Sequence, residues 1–129
     1  MDGFDERIVA AIRQLIDANA GAKAEIVAGT EVLQRGLVQL VAGVAPSDAI
    51  KAIPLSSRRE ATQGAFKRMV EARHELRLQA IGVCSDEGMS MREIAEIWGV
   101  SRQRVAQSLA ELRQRREADS LSPIAGPGR

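Results

Sequence analysis

Residues Glu93 to Leu112, EIAEIWGVSRQRVAQSLAEL, hold two apolar patterns of helical period with only Gly99, Val100 and Ser101 between them. No other stretch restricts the fold so tightly. Ser90-Met91-Arg92-Glu93 fits a capping box, in which a serine hydroxyl and a glutamate three residues on satisfy the orphan amides of a helix start. The helix begun there carries Ile94, Ala95, Ile97 and Trp98 on one face. Gly99 ends it, because glycine takes the left-handed conformation of a helix stop without a Cβ penalty. Val100 follows as a plug, and Ser101 suits the cap of a new helix from Arg102 to about Arg116. Two helices joined by so short a turn cross steeply and share a small core. Ile94, Ala95, Trp98, Gly99, Val100, Val105 and Leu109 are expected to form it.

The rest of the chain has the same period. No run alternates as a half-buried strand does, so the expected fold class is all-α, a multi-helix bundle with a C-terminal helix-turn-helix. A first helix is expected from about Phe4 to Ala18 on a stripe of Phe4, Ile8, Ile12, Leu15 and Ile16, ended by Asn19 to Gly21. A second spans about Ala22 to Val44 on Ile26, Leu33, Leu37, Leu40 and Val41. Its glycines Gly29, Gly36 and Gly43 recur every seven residues, which marks this helix as the expected dimer seam. Pro46 and Pro54 bound a short helical piece and a hinge. Ser57-Arg58-Arg59-Glu60 resembles a further capping box, and a long helix from about Arg58 to Cys84 follows on Ala65, Phe66, Met69, Val70, Ala72, Leu76, Ile81 and Val83. The expected organisation is an N-terminal oligomerisation or effector lobe over residues 1–54, the long helix and helix-turn-helix over 55–116, and a flexible Pro-, Gly- and Ser-rich tail over 117–129.

Charge narrows the function. The net charge of +1 over 129 residues hides an asymmetry: residues 58–116 carry twelve Lys/Arg against eight Asp/Glu, while residues 1–57 carry five against seven. The basic excess lies with the quoted segment and is compatible with a nucleic-acid partner. Apolar runs such as Leu37 to Ala45 are far shorter than the roughly 20 residues that span a bilayer, and the chain opens on an acidic Met1-Asp2 without a signal core. A cytoplasmic protein with no membrane contact is expected. Fifteen arginines against three lysines suggest a GC-rich bacterial genome. Cys84 is the only cysteine and reads as a small apolar residue. His74, the only histidine, lacks the partners of a metal site. No phosphate-binding glycine loop, nucleophile elbow or apolar carboxylate pair is present, so neither an enzyme nor a cofactor or metal is expected.

The segment REIAEIWGVSRQRVAQSLAEL resembles the helix-turn-helix of bacterial transcription factors. It is most similar to the promoter-reading region 4 of sigma factors and to the effector domains of response regulators. The resemblance covers Ser90 to about Leu112, with the end of the long helix as a supporting element. The chain is too short to hold the regions with which a complete sigma factor melts promoters and binds polymerase, and Trp98 stands where a smaller aliphatic is usual. The resemblance implies binding to double-stranded DNA, in the bacterial nucleoid.

Independently, laying out the last helix at about 100° per residue puts Val105, Leu109 and Leu112 on one side. The opposite side presents Gln103, Gln107, Ala110 and Gln114, flanked by Arg104 and Ala106, with Arg102 and Arg113 nearer the core edge. Glutamine pairs with the N6 and N7 edge of adenine, arginine with O6 and N7 of guanine, and a small alanine lets the backbone come close. Ser101, Arg102 and Arg113 suit phosphate contacts. The expected DNA-binding residues are therefore Ser101, Arg102, Gln103, Arg104, Ala106, Gln107 and Arg113, in a sequence-specific transcriptional regulator that dimerises on two half-sites. Two other readings fit the same residues. One is a protein-interaction module that binds RNA polymerase or another regulator; the other is a DNA-binding protein of plasmid or phage maintenance.

Overall fold

A computed structural model describes residues 5–121. The described chain is all-α, in the order α1 (Glu6–Val41), α2 (Pro46–Lys51), α3 (Leu55–Asp86), α4 (Met91–Trp98) and α5 (Arg102–Leu121). The expected start at Phe4 falls outside the described residues, as do residues 122–129 of the expected tail.

The break expected at Asn19 to Gly21 does not occur, and α1 runs unbroken through it. An isolated glycine in a helix costs only about 1 kcal/mol relative to alanine. Here Ala18, Ala20, Ala22 and Ala24 surround Gly21, and Ala22 is buried, so local propensity and packing both carry the helix across. The stop comes later, where Gly43 takes a positive φ of 92° beyond the last turn. Gly36, expected in an outward seam, faces inward instead: a Cβ there would lie 2.8 Å from Cδ1 of Ile53.

The helix expected from Arg58 begins at Leu55, directly after Pro54. Ser57 is therefore inside the first turn, where its hydroxyl donates to the Pro54 carbonyl at 3.3 Å, and no capping box forms there. Proline decides the boundary because it cannot sit inside a helix but leaves the next residue free to start one. At the other end α5 passes the expected limit near Arg116 and reaches Leu121, so residues 117–121 are helical rather than tail.

Packing divides the described chain into two units: one takes Ile12–Arg73, the other the residues up to Ala11 and those from His74 onward. The divisions fall inside α1 and α3, not at the Pro46–Pro54 connection. In the Ile12–Arg73 unit, small residues make the inner seam, with Ala22, Ala49, Ala65 and Ala72 buried. Across this seam an Arg58 guanidinium nitrogen meets Glu25 Oε1 at 2.5 Å. Phe66 and Val70, expected on the packed stripe of the long helix, are exposed. In the second unit Ile81, Ile94, Ala95 and Val105 form a buried cluster, with Cys84, Met89, Trp98, Val100 and Leu109 packed around it. Leu78, which the sequence pattern passes over, is fully buried.

Candidate nucleic-acid interface

The turn between α4 and α5 is built from local chemistry that the sequence spells out. The Glu93 amide donates to Ser90 Oγ at 3.1 Å and the Ser90 amide donates to Glu93 Oε1 at 3.0 Å, completing the capping box. The Ser90 backbone amide, then its hydroxyl, hold the Glu93 carboxyl below its ordinary value. Gly99 closes α4 at φ 63°, ψ 35°, a left-handed conformation natural to glycine. From that position the Gly99 and Val100 amides return to the Glu96 and Ala95 carbonyls at 3.4 and 3.1 Å. Ser101 then caps α5, accepting from the Arg104 amide at 3.0 Å.

This turn fixes which face of α5 points inward. Val105, Ser108 and Leu112 are buried and Leu109 is partly so. Ser108 was not foreseen on that face, since a hydroxyl is an unusual core group. Its Oγ donates to the Arg104 carbonyl at 3.1 Å, which satisfies it without leaving the helix. Of the α4 residues expected inside, Ile94 and Ala95 are buried and Trp98 half-buried, but Ile97 is exposed. The Trp98 indole nitrogen is buried with no hydrogen-bond partner among the described residues.

Ser101, Arg102, Gln103, Arg104, Ala106, Gln107 and Arg113 are all exposed, as is Gln114, while Ala110 is half-buried. Arg104 and Gln107 line a shallow groove with Ser108, Glu111 and, from α3, His74 and Arg77. The bordering α3 residues were not foreseen, because their proximity depends on how α3 meets α5 and no spacing in the sequence encodes it.

Ion pairs divide the arginines of α5 into two sets. Arg115 meets Glu75 at 2.7 Å and Glu111 at 3.2 Å, and Arg116 meets Asp86 at 3.8 Å. Glu111 also lies 3.4 Å from His74 Nε2. Burial acts to raise the Glu75 carboxyl, but hydrogen bonds from Gln79 and Arg115 outweigh it and hold the group below its ordinary 4.5. These contacts tie the far half of α5 to α3. Arg102, Arg104 and Arg113 take part in no ion pair among the described residues. Gly82 lets the two helices meet closely: a Cβ on it would lie 2.7 Å from Cδ1 of Leu112.

Among the described residues no cluster of three or more His, Cys, Asp or Glu side chains is placed to hold a metal ion, and no helix is long and apolar enough to cross a membrane. No curated protein and no solved structure matches the chain. The family model of a homeodomain-like domain matches residues 71–121. That span takes in the second half of α3 with α4 and α5, and so extends the helix-turn-helix by its supporting helix. Residues 71–121, within the all-helical described residues, thus match a homeodomain-like domain and hold the helix-turn-helix of α4 and α5.

Proposed function

We propose that the chain is a sequence-specific DNA-binding transcriptional regulator that reads the major groove with the outward face of α5. The observation that carries this reading is the exposure of Gln103 and Gln107, flanked by Arg102 and Arg104, at the capped start of α5. Amide side chains one turn apart suit adenine edges, arginines suit guanine, and the small Ala106 between them leaves room for approach. Ser101 and the first amides of the helix, with Arg102 and Arg113, hold phosphates and so set the register. Residues 1–54 then serve oligomerisation or effector binding, and a homodimer engages two half-sites about one helical turn apart. Likeness to sigma factor region 4 or to response-regulator effector domains rests on Ser90 to Leu112 alone.

Selection of bound duplexes from a random pool tests the reading. The parent chain is expected to enrich a defined sequence, with a log-log salt slope of about −0.9 per phosphate contact. Gln103→Ala and Gln107→Ala should each relax preference at one position, by roughly 1–3 kcal/mol for a lost bidentate contact. Enrichment of the parental sequence by both variants would mean that another face reads the bases. Binding to no duplex in preference to competitor, at low and moderate salt, would favour the protein-interaction reading, for which the exposed Ile97 of α4 offers an apolar contact to RNA polymerase or another regulator. A plasmid or phage maintenance protein would use the same helix, and its sites would map to the replicon rather than to promoters.

A further inference from the structure

Within the Ile12–Arg73 unit, α1 carries two stripes one residue apart. The first runs through Leu15, Ala18, Ala22, Glu25, Gly29, Val32 and Gly36 and is buried or half-buried. It is the seam within the chain: Gly36 meets Ile53, Glu25 meets Arg58, and Gln14 and Ala18 lie beside Arg68 and Ala72. Those pairings descend along α3 as they ascend α1, so the two helices run antiparallel here. The second stripe is Ile12, Ile16, Asn19, Lys23, Ile26, Thr30, Leu33, Leu37 and Leu40, spaced alternately four and three residues apart. Its large apolar members are exposed, Ile16 at 60%, Leu33 at 61% and Leu37 at 60%.

Alternating spacings of four and three are the signature of a helix face that packs along another helix. Among the described residues none covers this face. Val27 and Val41 widen it, and Leu55, Phe66 and Val70 of the same unit are also exposed. The α1 side chains alone present roughly 800 Å² of apolar surface, above the few hundred that monomers usually show and comparable to the ~800 Å² that each partner buries in a stable complex. Charge is nearly absent from the stripe, since Lys23 is its one charged residue.

We propose that this face is covered by a second copy of the chain, with the two α1 helices packed antiparallel about a two-fold axis near Ile26. The occupant is a second copy because the stripe matches its own reverse: with the axis at Ile26, Leu37 lies opposite Ile16 of the partner subunit, Leu40 lies opposite the partner's Ile12, and Lys23 meets the partner's Thr30. A parallel pair in register would set Lys23 against its own copy at the centre of the contact, whereas the antiparallel pair keeps the two ammonium groups apart. An isologous contact of this kind closes after two copies. The proposal rests on the Ile12–Arg73 unit and not on the DNA reading, although it supplies the two helix-turn-helix domains that reading calls for.

Sedimentation equilibrium of the full chain tests it. The expected mass is twice 13.9 kDa, and Leu33→Glu/Leu37→Glu should halve it at the same concentration with the far-ultraviolet helical signal retained. If that variant loses its helical signal, the parent's melting temperature decides: it must rise with protein concentration, as it does when folding and association are linked. A monomeric parent at micromolar concentration, or a melting temperature independent of concentration, would overturn the proposal. So would a double variant that stays dimeric. Under mild oxidation Lys23→Cys is expected to give no more cross-linked dimer than the parent gives through Cys84; efficient cross-linking would refute the antiparallel arrangement. Loss of DNA binding with the dimer intact would count against the DNA reading alone.

Discussion

Ile94→Ala is expected to unfold the helix-turn-helix. Ile94 has no solvent exposure and sits in the buried cluster with Ile81, Ala95 and Val105. It is the main apolar anchor that the eight-residue α4 contributes. Truncating a buried isoleucine to alanine removes about 2–5 kcal/mol, part of it from the cavity left behind. A unit of this size holds only about 0.05–0.15 kcal/mol of stability per residue, so the loss is comparable to the whole. Trp98 is the only tryptophan and packs against the same cluster, which makes its fluorescence a local reporter. Urea titration should show a midpoint far below the parent's, or a red-shifted emission without denaturant. Ile94→Val should lose only about 0.5–1.5 kcal/mol. Unchanged midpoints in both variants would mean that α4 is not held by this cluster.

The second large effect is expected at Gly82. The position is buried within α3, and the methyl of an alanine would already stand 2.7 Å from the end of Leu112. Leucine there needs space that only displacement of α5 provides, and overpacking of this kind costs about 1–3 kcal/mol. Displacement would also pull Arg115 from Glu75 and Arg116 from Asp86, so the far half of α5 should lose its ties together. The cause is separable by a double-mutant cycle, since contacting residues couple where distant ones add. Leu112→Ala should rescue part of the loss in Gly82→Leu, although it is destabilising alone. Strict additivity of the two changes would place the strain elsewhere.

The elements most legible in the sequence are those written in local chemistry. Ser90, Glu93, Gly99 and Ser101 each act on backbone groups within four residues, so their types and spacing determined the turn, and with it the side of α5 that Val105 buries. Gly21 and Ser57 had comparable local signals that context overrode: the alanines around Gly21 kept α1 continuous, and Pro54 started α3 before Ser57 was reached. The less legible part was which stripe of a long helix is packed. Large residues such as Leu33 and Leu37 mark the apolar face that the sequence shows most plainly, but the chain packs α1 through its small residues, because alanine and glycine let two helices come closest. Groups joined only by helix packing, such as His74 and Arg77 beside Gln107, carried no signal along the sequence.

The proposed contact between the start of α5 and DNA is tested most directly by amide chemical-shift mapping of the full chain titrated with a 20-base-pair duplex at low salt. Sequence-independent phosphate contacts suffice for binding under that condition. The largest shifts are expected at Ser101 to Gln107 and at Arg113, fading as salt is raised, with Ile12 to Leu40 unmoved. Shifts confined to α1 and α2, or a spectrum unchanged by saturating duplex, would contradict the account.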